Sequence, residues 1–487
     1  MEKIKINWIL VLILLVGAFL RLYRIGDYMT FLGDEGRDVI IVRNLLVHAD
    51  PILIGPGTSV GSMYLGPLYY YFMALFLFLS NFSPVGPSVG VALLGVATIY
   101  LVYLTGKDWF GRIAGLIASA LYAISPIVIL YSHSSWNPNI MPFFALLSVY
   151  SIWKVYQSKE YKWLLVTAIS FAFVLQSHYL GVLLLPVLLI YWLKSKPIYN
   201  IRYTIYFILV FAFLMSPLLI FDIRHGFLNS KALIKFINLQ QEVVPISITM
   251  QISKTYSTFE QINSSLLTAK TEPAGQIVTI ILIISTVLIL FFRKELLIHN
   301  PSFLILAVWL ASGLIGFLIY GQKITDHYFG FLFPVPFLFV AFLLSRLYES
   351  KYKIFAVVIF VFLVTLNVSK NPLRKNPNNQ MRRAQNVANK IIEISKNEPY
   401  NLAVLSDWNY EDGYEYFLKV ENSKIIDIDS QLPETVTNQL LIICENLRDK
   451  CDPTHSAKAE VANFGWSKID SDFEVDGVII YKLIHSK

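Results

Sequence analysis

The sequence predicts a polytopic α-helical membrane protein with a small C-terminal α/β domain. Three observations carry that expectation. The chain of 487 residues is 55% hydrophobic and only 15% charged, and its mean hydropathy is +0.57; a water-soluble chain of this length rarely has so few charges. Apolar runs of about 17 to 20 residues follow one another, each long enough at about 1.5 Å per residue to cross roughly 30 Å of hydrocarbon. Finally, the segment after residue 370 loses this character and alternates a helix-period pattern with short strand-like runs.

Eleven spans are expected, near residues 7–23, 88–105, 112–131, 139–156, 162–177, 179–193, 203–221, 275–292, 302–320, 328–346 and 353–369. The first has a short basic start and no small-residue cleavage pattern, so it reads as an uncleaved span. The segment 67–80, PLYYYFMALFLFLS, is apolar but 14 residues long, and the charges decide its place. If it does not span, Lys3 and Lys5 share one side with Lys107, Arg112, Lys154, Lys159, Lys162, Lys194, Lys196, Arg202, Arg293, Lys294, Arg346, Lys351 and Lys353, fifteen basic residues in all. The short turns of the other side carry one, Lys323. The positive-inside rule therefore puts 67–80 in the outer interface. Its tyrosines Tyr69, Tyr70 and Tyr71 suit an aromatic belt there, or simple packing between spans.

With this parity the N-terminus is cytoplasmic, in a multi-pass plasma-membrane protein. Loops 24–87 and 222–274 and the tail 371–487 lie outside. A membrane domain over 1–370 and an extracytoplasmic α/β domain over 371–487 are the expected division. The tail should hold an amphipathic helix near 380–394 and strands at 402–405, 440–444 and 475–483. The net charge of +7 sits mainly in the cytoplasmic turns, so topology accounts for it and no nucleic-acid partner is expected. The only cysteines, Cys444 and Cys451, are too few for a metal cluster or a disulfide framework, although one local bond would fit an oxidising outside.

All candidate chemical motifs fall on the outer side. Gly33-Asp34-Glu35-Gly36-Arg37-Asp38 opens a helical stretch after the first span. Asp34 can serve as the N-cap of that helix, and Glu35 and Asp38 suit the positive end of its dipole. A carboxylate fixed in this way can also act as general base for an incoming hydroxyl, so the readings are compatible. Asp222-Ile223-Arg224-His225 closes the seventh span, and Lys323-Ile324-Thr325-Asp326-His327-Tyr328 precedes the tenth. Arg224, His225, Lys323 and His327 can bind a phosphate, or simply snorkel at span ends. His178 is a lone interfacial histidine and ranks lower. No Walker-type phosphate loop and no zinc-ligand spacing is present.

The stretches GDEGRDVIIVRNLL, GPLYYYFMALF and GKDWFGRIAGLIASALYAISPIVILYSHSSWNPN together resemble the N-terminal half of polyprenyl-phosphate-dependent glycosyltransferases of the GT-C superfamily. These include protein O-mannosyltransferases of glycosyltransferase family 39 and lipid A aminoarabinose transferases. The resemblance spans residues 5–350, and HYFGFLFPVP from His327 resembles a further pattern of the family. It implies a GT-C fold, a polyprenyl-phosphate sugar donor drawn from the membrane lipids and a hydroxyl acceptor on protein, lipid or glycan. It also implies inversion at the anomeric carbon, with Asp34 as base and Glu35 beside it. A second acidic position of the family falls on Ser132–Asn139, where this chain has Asn137 and Asn139; with Tyr69 and Tyr328 these become candidates for substrate binding, or for a turn and a cap. No cofactor is expected, and carboxylate-plus-metal chemistry across loops stays open. A transporter or lipid-linked-sugar flippase is the alternative, but few ionisable residues fall near span centres.

Overall fold

The computed structural model describes residues 7–61, 63–196, 200–241, 247–292, 301–320 and 324–486. Lys3, Lys5, Arg293, Lys294 and Lys323 of the charge argument lie outside the described residues. A helix occupies each of the eleven predicted spans. Val85–Phe110, Ile201–Arg224, Glu272–Ile289 and Pro301–Ile319 are by themselves long and apolar enough to cross a membrane, and the short Asp326–Leu332 helix joins Pro334–Tyr348 through a 57° bend to make a fifth candidate. The others are shorter or broken, except Met141–Ser158, which has 18 residues but is less apolar. Proline explains one of the breaks: Ser125, before Pro126, is extended at φ −62° and ψ 121°, as the residue ahead of a proline prefers. Pro142, Pro186 and Pro334 also stand in the first turn of a helix, where the missing N–H is tolerated, but the residues before them keep α-helical angles. The interfacial candidate forms a helix of twelve residues, Leu68–Leu79, too short to span about 30 Å of hydrocarbon.

The described chain divides into two compact units. The first gathers 1–23, 51–72 and 89–376. Its core is aromatic. Tyr122 meets Phe337 edge-on at 5.2 Å, and Phe342 packs against both Phe110 at 4.9 Å and Phe303 at 5.4 Å. Helices approach closely where side chains are smallest: a Cβ built on Gly106 would lie 2.9 Å from the Cα of Gly115, the small-residue contact that membrane helices use in place of a hydrophobic drive. The outward faces stay apolar, with Phe213, Leu209 and Leu219 of Ile201–Arg224 more than half exposed. Such a face needs lipid as its solvent. Arg21 is buried and donates to the carbonyls of Gly17, Ala123 and Tyr122 at 3.1, 2.9 and 3.4 Å. It thereby pairs the unsatisfied, negative end of the Arg112–Ile124 helix.

The second unit gathers 24–50, 73–88 and 377–487, so the segment carrying Asp34 folds with the tail. The tail sheet has strands β1 (Asn401–Leu405), β2 (Gln439–Cys444), β3 (Ser467–Val475) and β4 (Val478–His485) in the order β1-β2-β4-β3. β1 and β2 are parallel; the other pairings are antiparallel. The predicted helix appears as Gln380–Ser395 and the first two predicted strands as β1 and β2. The run expected at 475–483 divides differently: Asp476 and Gly477, both at positive φ, turn the chain between β3 and β4. An Asp-Gly pair of this conformation is the favoured tight hairpin turn. β3 escapes the hydrophobic pattern because it is a largely exposed edge strand, SKIDSDFEV. Cys444 and Cys451 form a disulfide beside the sheet core of Ala403, Leu440, Ile442 and Ile479.

Candidate active site

In the second unit the acidic motif opens the helix Gly33–His48. Its N-cap position is Leu32 and not Asp34, which lies inside the first turn because the helix begins one residue before it. Leu32 has no side-chain acceptor, and the orphan N–H groups are met from elsewhere. Glu35 Oε2 accepts from the Leu32 N–H at 3.0 Å, and Asn409 Oδ1 of the tail accepts from the Gly33 N–H at 2.8 Å. The two neighbouring carboxylates are thereby separated in character. Glu35 is buried against its own helix start, whereas the Asp34 side chain is 46% exposed. Asp34 Oδ1 accepts from Arg37 at 2.9 Å and from the Tyr410 hydroxyl at 2.5 Å. Arg37 reaches across to Asp38 as well, at 2.8 Å. Among the described residues Asp34 Oδ2 accepts no hydrogen bond, which leaves one oxygen of an ionised carboxylate able to take a proton.

Burial pushes the Glu35 carboxyl up to about 7, with Asp34 and Asp38 adding to the shift and the Leu32 N–H opposing it. A raised carboxyl binds its proton more tightly in the folded state, so stability is present at low pH and declines as pH rises from about 4.5 through about 7. The shift corresponds to about 3 kcal/mol at most. Glu35→Gln keeps an acceptor for Leu32 and removes the charge. Amide exchange of 33–48, corrected for intrinsic rates, should lose protection between pH 5 and pH 8 in the wild type and not in the variant; an equal loss in both would contradict this assignment.

In the first unit His327 and Tyr328 join an aromatic cluster. His327 lies 4.6 Å from the Trp136 ring and 6.0 Å from that of His178. Tyr328 is 5.0 Å from His178 and 5.7 Å from Tyr320, whose hydroxyl is 2.9 Å from that of Tyr179. His178, a lone histidine in the sequence, is thus part of the group. Tyr179 and Tyr320 also line a cavity of about 820 Å³ with Leu175, Phe211, Met215 and Leu218. Its walls are largely apolar. Asp222, Asn229 and Ser230 bring the polar groups, and Asp222 is occupied in capping the helix Leu228–Gln241: it accepts from the Asn229 N–H at 2.7 Å and the Ser230 hydroxyl at 2.5 Å.

Arg224 and His225 stand exposed at the end of Ile201–Arg224, with the His225 ring stacked on Phe221 at 4.1 Å. Lys323 lies outside the described residues. Asn137 is buried and donates to the Ser177 carbonyl at 2.7 Å; Asn139 donates to the Ser134 carbonyl at 2.8 Å. Asn139 thus closes a local turn, whereas Asn137 bonds across to the last residue of the helix Trp163–Ser177; neither side chain caps the helix that follows. Tyr69 and Tyr70 are buried, with the Tyr69 hydroxyl 2.8 Å from Ser135 Oγ, and only Tyr71 of the three is open. Packing between helices therefore describes Tyr69 and Tyr70 better than an aromatic belt. Among the described residues no three His, Cys, Asp or Glu side chains group so as to hold a metal ion. Asn409 and Tyr410 carried no sequence signal at all, because their partners lie some 376 residues away.

The family described as dolichyl-phosphate-mannose-protein mannosyltransferase matches residues 65–221. A putative mannosyltransferase, YkcB of Bacillus subtilis (strain 168), is 27% identical over 201 residues, covering 39% of this chain; the match spans 27% of that relative's length. Among solved structures, ArnT from Cupriavidus metallidurans bound to undecaprenyl phosphate superposes with a TM-score of 0.60 at 13% identity and covers 97% of each chain. The oligosaccharyltransferase AglB from Archaeoglobus fulgidus, in complex with an inhibitory peptide and a dolichol-phosphate, gives a TM-score of 0.53 at 14% identity, covering 89% of this chain and 69% of that one. The chain has the fold of the GT-C membrane glycosyltransferases. The resemblance read from the sequence is borne out, and the transporter alternative gains no support.

Proposed function

We propose, from the GT-C fold of this chain, that it transfers a sugar from a polyprenyl-phosphate donor to a hydroxyl acceptor at the extracytoplasmic face of the plasma membrane. The observation that carries the reading is the likeness along almost the whole chain to a structure holding undecaprenyl phosphate. A cavity of about 820 Å³ with largely apolar walls in the first unit supports it, since an isoprenoid tail needs such a lining.

The reaction is a displacement. The acceptor oxygen bonds to the anomeric carbon, the bond from that carbon to the phosphate oxygen breaks, and polyprenyl phosphate leaves with the electron pair. Attack opposite the leaving group inverts the configuration. Asp34 takes the hydroxyl proton on its open oxygen, a role for which its partly exposed, ion-paired carboxylate is suited. Glu35 is assigned to holding the helix start that carries Asp34. His327, Arg224, His225 and Lys323 are the candidates for meeting the donor phosphate, where a cation stabilises the charge that develops on departure. Tyr328 accompanies His327 as a sugar or phosphate contact. Tyr69, Asn137 and Asn139, which bond to neighbouring protein groups, act on substrate through the shape they give their surroundings.

Removal of the chain from its source cell tests the reading. Mass spectrometry of envelope glycans and lipids should show one sugar missing from an acceptor and its polyprenyl-phosphate form accumulating. Unchanged levels of both would overturn the proposal.

A further inference from the structure

Resting on the reading of Asp34 as the base, we infer that the C-terminal tail supplies Tyr410 as a positioning residue for that carboxylate. The evidence is a continuous set of contacts inside the second unit. The Tyr410 hydroxyl donates to Asp34 Oδ1 at 2.5 Å, while Arg37 Nη1 reaches the same oxygen at 2.9 Å and the Tyr410 oxygen at 3.4 Å. The Tyr410 ring lies flat on Gly33: a Cβ built there would come within 2.5 Å of three ring carbons. One residue earlier, Asn409 Oδ1 takes the Gly33 N–H and its own neighbour's Tyr410 N–H at 2.9 Å. Asn409 is itself fixed, because its Nδ2 donates to Glu445 Oε1 at 2.6 Å, and Glu445 also accepts from the Tyr414 hydroxyl and from Ser406 at 3.1 Å.

This set does what the helix cannot do for itself. Leu32 offers no cap, so the first turn that holds Asp34 takes its cap from Asn409. A carboxylate on an uncapped, partly exposed first turn would swing among rotamers. Two donors on Oδ1 select one of them and leave Oδ2 for the incoming hydroxyl. Hydrogen bonds to an ionised acceptor are roughly twice as strong as neutral ones, and holding a reacting group in place is worth large factors in rate. Burial and the adjacent Asp34 push the Tyr410 hydroxyl well above its ordinary range, so it remains a donor at neutral pH. The tail is by this account part of the catalytic apparatus, because it sets where the base points.

Tyr410→Phe separates this role from packing, since the ring stays on Gly33 and only the hydroxyl goes. In the full-length reconstituted protein the variant should retain wild-type protection of 33–48 and wild-type KM for the lipid donor and the acceptor, with kcat lower by roughly 10- to 100-fold. Asp34→Asn is run beside it. If Asp34→Asn is inactive and Tyr410→Phe turns over like the wild type, Tyr410 merely packs and the inference is overturned. A raised acceptor KM at unchanged kcat overturns it as well, because the hydroxyl then binds acceptor. If Asp34→Asn itself remains active, the underlying assignment of the base has failed, and the inference falls with it.

Discussion

Asp34→Asn is expected to lower sugar transfer by roughly 100- to 10,000-fold, the range that a positioned general base contributes, while leaving the second unit folded. The substitution is nearly isosteric. The amide oxygen still accepts from Tyr410 and Arg37, which both bond to Oδ1, and Arg37 keeps its second partner, Asp38. Only the charge and the proton-accepting oxygen are lost. Turnover with a labelled lipid donor and amide exchange over 33–48 report the two halves of the expectation. An inactive, well-protected variant supports the assignment; an active one removes Asp34 from the mechanism.

The second large effect is structural. A Cβ on Gly36 would lie 2.3 Å from the Gly413 nitrogen, 2.4 Å from the Asp412 carbonyl carbon and 2.5 Å from its oxygen. All three are backbone atoms, so no side chain can turn aside, and the helices Gly33–His48 and Asp412–Val420 must separate. Gly36→Ala should therefore destabilise the second unit by about 1–3 kcal/mol and reduce transfer with it, because Asp34 is two residues away. Gly413→Ala is the informative control. Its Cβ would meet the Leu32 carbonyl at 3.2 Å, a contact that a few tenths of an ångström relieves, so it should be milder in both unfolding midpoint and turnover. Equal effects of the two would refute the close-approach argument.

Much of this was legible in the sequence where the cause is local. Long apolar runs gave helices at all eleven expected places, and GDEGRD marked a helix start with two acidic residues in its first turn. The amphipathic period of 380–394 and the apolar runs of β1 and β2 were equally plain. What escaped depends on partners remote in the chain. Nothing around Asn409 or Tyr410 says that they meet Gly33 and Asp34, and Gly36 and Gly413 look like any two glycines until their backbones touch. Tyr69 and Tyr71 are alike in sequence, yet one is buried against Ser135 and the other is 41% exposed. Asp34 and Glu35 are adjacent and chemically similar; which of them faces its helix and which faces out is decided by the first turn they share with the tail.

The central claim is that this chain moves a sugar off a lipid phosphate, and the most direct measurement is product formation by the purified protein in liposomes. Supplied with a radiolabelled polyprenyl-phosphate sugar and an extract of envelope acceptors, the wild type should pass label to acceptor and release polyprenyl phosphate in equal amount, and the Asp34→Asn protein should do neither. Label left on the lipid in the presence of wild-type protein, with the acceptors shown to be competent by an authentic transferase, would contradict the account.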